Sequence, residues 1–149
     1  LGDEPAPVSL SLSHRAGRSL AVVSESGLAL GCDLELIEPR SRAFVADWLA
    51  PAEQALVEDA GDRERDLLAN LLWTAKEAAA KARREGLRLD VRQAVAAPAG
   101  LGSGRSGWRG LEVVWSDGGG RAAGWWRSEP DWVMAIAADP APGPPRLLD

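Results

Sequence analysis

Apolar residues Leu68, Leu71, Leu72, Ala75, Ala78, Ala79 and Ala82 recur at helical spacing, and this one stripe fixes the plan of the chain. It predicts an amphipathic helix over residues 63–85, which must lay its stripe on another layer. The flanking segments supply that layer. Residues 8–13 alternate apolar and polar, as a half-buried strand does, and residues 19–24 make a second strand. Residues 14–17 turn between them, so the pair reads as a hairpin. A third strand is predicted over 28–37. Short helices are expected at 41–49 and 51–60, the second opening on Pro51 with Glu53 just behind it. Gly86 is the expected left-handed cap of the long helix, and 87–95 carries a short extended segment. Residues 98–110 form a Gly/Ser-dense loop with Arg105 and Arg109. Strands at 111–116 and 121–127 flank the turn Asp117-Gly118-Gly119-Gly120. The stretch 132–138 is apolar enough to be a buried last strand. Three strands, helices, then three strands imply an α+β fold with an antiparallel sheet packed against one long helix.

The chain has 149 residues, enough for one domain with a real core. Residues 1–7 are linker-like, 8–138 form the domain, and 139–149 are a Pro-rich tail. A net charge of −5 argues against nucleic acid as partner. No apolar run approaches the length of a bilayer span, so no membrane partner is expected. No secretory signal is visible. The single Cys32 excludes an intramolecular disulfide and fits a cytoplasmic location. His14 is the only histidine, which excludes a Cys/His zinc cluster. The seven tryptophans read as core and interface mass.

Three clusters carry chemistry. The only two lysines, Lys76 and Lys81, stand in the long helix, while the other fifteen basic residues are arginine. An ammonium is a compact point charge suited to phosphate, where arginine is a rigid fork. Glu77, Lys81 and Trp73 share a helix face, with Lys76 at its edge. An ordinary surface Glu–Lys pair would give the same spacing. Asp33 and Glu35 are two apart on a strand, so both carboxylates project from one face while Leu34 and Leu36 point to the core. Paired hard oxygens suit Mg²⁺ with water and substrate phosphate, or else form a solvated strand face. Gly31 would let a ligand approach the backbone. Ser13 and His14 end the first strand beside Arg15 and Arg18, as an anion cradle or a plain turn.

Taken together, Ser13-His14, then Gly31-Cys32-Asp33-Leu34-Glu35, then Trp73-Thr74-Ala75-Lys76-Glu77-Ala78-Ala79-Ala80-Lys81 resemble the 4′-phosphopantetheinyl transferase superfamily. Its signature is G-x-D-x-E followed by W-[ST]-x-K-E-x-x-x-K. The resemblance runs over residues 8–138 and implies that family's fold. It also implies transfer of phosphopantetheine from coenzyme A to a serine of an apo acyl or peptidyl carrier protein, in fatty-acid, polyketide or peptide synthesis. By resemblance, Asp33, Glu35 and Glu77 hold Mg²⁺, Glu77 is the base, Lys76 and Lys81 hold the pyrophosphate, and Ser13 and His14 contact coenzyme A. The carrier is usually acidic. Arg40, Arg42, Arg83, Arg84, Arg88 and Arg92 are the expected docking face.

The match departs from the larger single-chain subclass, a pseudodimer of similar halves, because most of the first half is absent here. A homo-oligomer or a domain of a megasynthase would account for that. Two rivals from other classes stand beside this reading. One is a non-catalytic module that binds coenzyme A or a carrier protein. The other is a Mg²⁺-dependent nuclease or phosphoesterase, disfavoured by the net negative charge and the lysine spacing.

Overall fold

The computed structural model describes residues 7–85, 90–101 and 107–148. A hairpin comes first, strands β1 (Ser9–Arg15) and β2 (Arg18–Ser24), followed by β3 (Ala29–Leu36). Helices α1 (Arg42–Trp48), α2 (Pro51–Asp59) and α3 (Asp62–Arg83) come next. A 3₁₀ turn at Val91–Gln93 leads into β4 (Ala94–Pro98), β5 (Arg109–Trp115), β6 (Arg121–Ser128) and β7 (Trp132–Asp139). The last five strands in space order are β3-β7-β6-β5-β4, every pair antiparallel. The fold is therefore α+β with one long helix on an antiparallel sheet. The extended segment expected over 87–95 is found later, as β4 after the 3₁₀ turn, with residues 87–89 outside the described residues, and it makes the second group four strands rather than three. Gly86, Arg88, Arg105 and residues 1–6 of the linker-like start lie outside the described residues. Arg84 holds the left-handed conformation at the end of α3, with φ 55° and its N–H on the Lys81 carbonyl. Among the described residues, no helix is long and apolar enough to cross a membrane.

The stripe on α3 is buried throughout, against Trp126, Val133, Ala135 and Ala137 of the sheet and Val57 of α2. Burying each leucine there contributes about 1.5–3 kcal/mol. The alanines bring the helix close to β3. A Cβ added at Gly31 would strike the Ala78 carbonyl, the Ala82 amide and the Lys81 side chain. Gly31 thus makes room for the helix, which corrects its reading as a point of ligand approach. The far side of β3 packs Leu30 and Cys32 with Ile136 and Ala138 against Leu20 and Val22 of the hairpin. Covered on both faces, β3 is apolar on both sides except at Asp33 and Glu35.

The hairpin forms as predicted, but on β1 the buried face is the polar one. Ser9, Ser11 and Ser13 are buried, while Val8, Leu10, Leu12 and Val23 are each at least 50% exposed. The reason is the outer edge of β3. Its backbone N–H groups need acceptors, and serine hydroxyls supply them. Cys32 N–H donates to Ser11 Oγ at 2.9 Å and Leu34 N–H to Ser13 Oγ at 3.3 Å. The apolar positions of β1 are left on the outside, with Val23 of β2. The tryptophan reading holds for Trp115 and Trp126, which are buried, whereas Trp48 is exposed on α1. In the tail, the Pro142 carbonyl accepts from Trp125 Nε1 at 3.2 Å.

Candidate active site

Alternation along β3 turns Gly31, Asp33 and Glu35 toward α3. The close packing at Gly31 then brings Lys81, one helical turn beyond Glu77, onto the strand. Lys81 Nζ donates to Asp33 Oδ1 at 2.9 Å and to the Cys32 carbonyl at 3.0 Å. Ser13 Oγ donates to the same Oδ1 at 2.8 Å. Asp33 Oδ2 is buried and has no hydrogen-bond partner. A buried carboxylate oxygen left without a partner is costly unless something else satisfies it.

Glu35 stands two residues along. Its Oε2 receives Arg15 Nε at 3.3 Å and Arg40 Nη2 at 3.4 Å. Arg40 is held in turn by Asn70, which is fully buried: Arg40 Nε donates to Asn70 Oδ1 at 2.6 Å. Burial raises the Glu35 pKa above the ordinary carboxylate value, the charge of Asp33 adds to this, and Arg15 and Arg40 oppose it. Glu77 makes no hydrogen bond or ion pair among the described residues. Its pKa is raised by burial first, then by Asp33, with Lys81 opposing.

These residues fit a hard divalent cation. Asp33 offers an unpartnered oxygen, and its charge helps to push up the pKa of Glu35 and of Glu77, a repulsion that a cation between them would remove. Among the described residues no three acids, histidines or cysteines stand as a finished coordination cluster. The fit is therefore that of one or two carboxylates with water and substrate oxygens completing the shell. A stability effect follows. Folded Glu35 and Glu77 hold their protons more tightly than the unfolded chain does, so their contribution is full below the ordinary value of 4.5 and is lost as pH rises through the raised values. Without divalent cation the melting temperature should fall across that window. Mg²⁺ should restore it at neutral pH and do little in acid. Thermal melts at several pH values check this, and a Mg²⁺ effect of equal size at every pH would contradict it.

The structure separates the two lysines. Lys76 is fully buried. Its Nζ lies 2.6 Å from Glu53 Oε2 and donates to the Trp48 carbonyl at 2.9 Å. The same Glu53 accepts the N–H groups of Ala50 and Ala96, each at 2.7 Å. One step round the helix from Glu77 is about 100°, and that rotation points Lys76 between α1 and α2. Lys76, expected to hold pyrophosphate, is instead placed in a core ion pair joining α1, α2 and α3, apart from the carboxylates that Lys81 meets. His14 is likewise displaced from the carboxylates. Ser13 and Arg15 face β3 while His14 is exposed on the opposite side of the strand.

The expected docking arginines also divide. Arg40 is pinned inside the site. Arg83 stacks on Trp115 with 4.7 Å to the ring centroid and bonds Glu85, and Arg92 bonds Asp90. Arg42 and Arg84 are exposed. Trp73 shares the Glu77 face as predicted and packs edge-on against Phe44 and Trp48, with centroids 5.4 and 5.3 Å away.

The sequence placed Arg15 beside a candidate anion cradle without pairing it to Glu35, and it did not single out Asn70 or Glu53 as site or support residues. For Arg15 a signal existed, since the Ser13/Arg15 spacing matches the Asp33/Glu35 spacing. Glu53 reads locally only as a helix-start acid, and what makes it and Asn70 supports is distant: Lys76 and Ala96 for Glu53, Arg40 and Glu38 for Asn70.

A family model described as ACPS, the 4′-phosphopantetheinyl transferase superfamily, matches residues 29–137. The match begins at β3, so the hairpin lies outside it. No curated protein matches the chain.

Proposed function

From the premise that this chain belongs to the 4′-phosphopantetheinyl transferase superfamily, we propose that it transfers the 4′-phosphopantetheine group of coenzyme A to a serine of an apo acyl or peptidyl carrier protein, with Mg²⁺, releasing 3′,5′-adenosine diphosphate. One observation carries the reading: the unpartnered Asp33 oxygen and the unpaired Glu77 carboxylate stand beside the Lys81 ammonium, on the motif residues that the resemblance names. The carrier serine oxygen bonds to the phosphorus bearing the pantetheine arm. The bridging P–O bond breaks, and 3′,5′-adenosine diphosphate leaves with the electron pair. Glu77, whose side chain has no hydrogen bond or ion pair of its own among the described residues, takes the serine proton. Lys81, tethered to Asp33, keeps a positive charge where the pyrophosphate charge builds up. Asp33 and Glu35, with Glu77, would hold Mg²⁺, which when bound spreads the pyrophosphate charge. Ser13 acts through Asp33 by fixing its carboxylate. His14, on the outer side of the hairpin, is placed to meet a more distant part of coenzyme A. Of the expected docking arginines among the described residues, Arg42 and Arg84 are exposed and are the ones offered to an acidic carrier. The exposed apolar side of the hairpin fits a domain completed by another copy or by a longer parent chain.

The test is to incubate the protein with coenzyme A, Mg²⁺ and a panel of apo carrier proteins and to record intact carrier masses. The expected result is a gain of one phosphopantetheine that disappears with chelator. Folded protein that modifies none of the carriers, while a known transferase modifies them all, would leave a binding module as the better account.

A further inference from the structure

Alternation on β1 sends two side chains to β3, and they land in order, Ser13 on Asp33 and Arg15 on Glu35. Arg15 bridges two acids, with Nε 3.3 Å from Glu35 Oε2 and Nη2 2.9 Å from Glu38 Oε1. Arg40 meets the same two carboxylates, each at 3.4 Å. The two guanidinium groups are otherwise unlike. Arg40 is mostly buried, bonds Asn70 and lies 4.8 Å from the Phe44 ring centroid. It is part of the wall. The Arg15 side chain is 44% exposed and is held only by Glu35 and Glu38 among the described residues.

Exposed pairs of this kind contribute little, so giving one up costs little. A divalent cation held by Glu35 would compete with Arg15 for the charge of that carboxylate, and like charge would repel the guanidinium. The released fork would stand beside the site with its donors free, and its geometry suits a phosphate.

We propose that Arg15 is a phosphate ligand released by cation binding, parked on Glu35 and Glu38 in the metal-free protein and handed to a phosphate of coenzyme A when the cation takes Glu35. This rests on the functional reading above and adds a residue that it does not use. Cation and coenzyme A are then coupled through one side chain, and the coupling is reciprocal.

Calorimetric titrations of Mg²⁺ alone, coenzyme A alone, and coenzyme A at saturating Mg²⁺ test it on wild type, Arg15→Ala and Arg15→Lys. Wild type should bind coenzyme A more tightly with Mg²⁺ than without. Arg15→Ala should weaken coenzyme A binding at saturating Mg²⁺ by about tenfold. The same variant should bind Mg²⁺ alone as tightly or more tightly, because the competitor for Glu35 is gone. Arg15→Lys should recover part of the coenzyme A affinity. Effects of opposite sign on the two ligands cannot come from a residue that only supports the fold, which would weaken both. Loss of both affinities in Arg15→Ala, or unchanged coenzyme A affinity, would overturn the proposal while leaving the functional reading intact. Wild type that binds Mg²⁺ but no coenzyme A would overturn both.

Discussion

Replacing Glu77 by glutamine should lower the rate of carrier modification by about 10²–10⁴-fold, the usual contribution of a positioned general base, without lowering the melting temperature. The two halves of this expectation have one cause. Glu77 sits in a partly buried place beside Asp33 with no hydrogen bond to offset the burial. Its charged form is disfavoured there in the metal-free protein. At neutral pH that charge opposes folding, and glutamine keeps the shape without it. Stability should therefore hold or rise while activity falls. Time courses by intact mass, beside thermal melts of the same samples, check both. A variant retaining a rate within a few-fold of wild type would remove Glu77 from the role of base. A variant that both melts lower and reacts slower would make Glu77 a structural residue.

The strand and helix framework was legible because it rests on local period. The α3 stripe, the β3 run, the Gly-rich turn at 118–120 and the Pro51 helix start all declare themselves within a few residues. What escaped depended on distant partners. The hairpin alternates as a half-buried strand should, yet period two says only that two faces differ. Which face goes inward was decided by the bare N–H groups of Cys32 and Leu34 some twenty residues on, which call for hydroxyls and not leucines. Gly31 was legible as a close approach, but the approaching group is the α3 backbone, which only tertiary packing reveals. At the site, Asp33, Glu77 and Lys81 come together as their spacing suggests. The helix edge on which Lys76 stands was ambiguous, since both solvent and a neighbouring helix border the same face.

Replacing Lys76 by alanine should destabilise the fold by about 3–5 kcal/mol, the usual consequence of removing one partner of a buried ion pair. Glu53, almost wholly buried, would keep its two backbone N–H donors and lose its counter-charge. The Trp48 carbonyl would lose its donor as well. Burial holds the Lys76 pKa below that of a free lysine and Glu53 opposes this, so the pair is desolvated rather than a surface contact. Denaturant melts would read the loss, and the single variant alone would confuse instability with lost catalysis. The double variant Lys76→Met, Glu53→Gln separates them. It removes both charges, and its glutamine oxygen can still accept one of the two N–H groups, so stability should recover in part. Folded double variant should bind coenzyme A as wild type does, whereas Lys81→Ala should bind it more weakly. If the double variant loses coenzyme A affinity as Lys81→Ala does, the ammonium of Lys76 reaches the substrate after all, and the two lysines act as a pair.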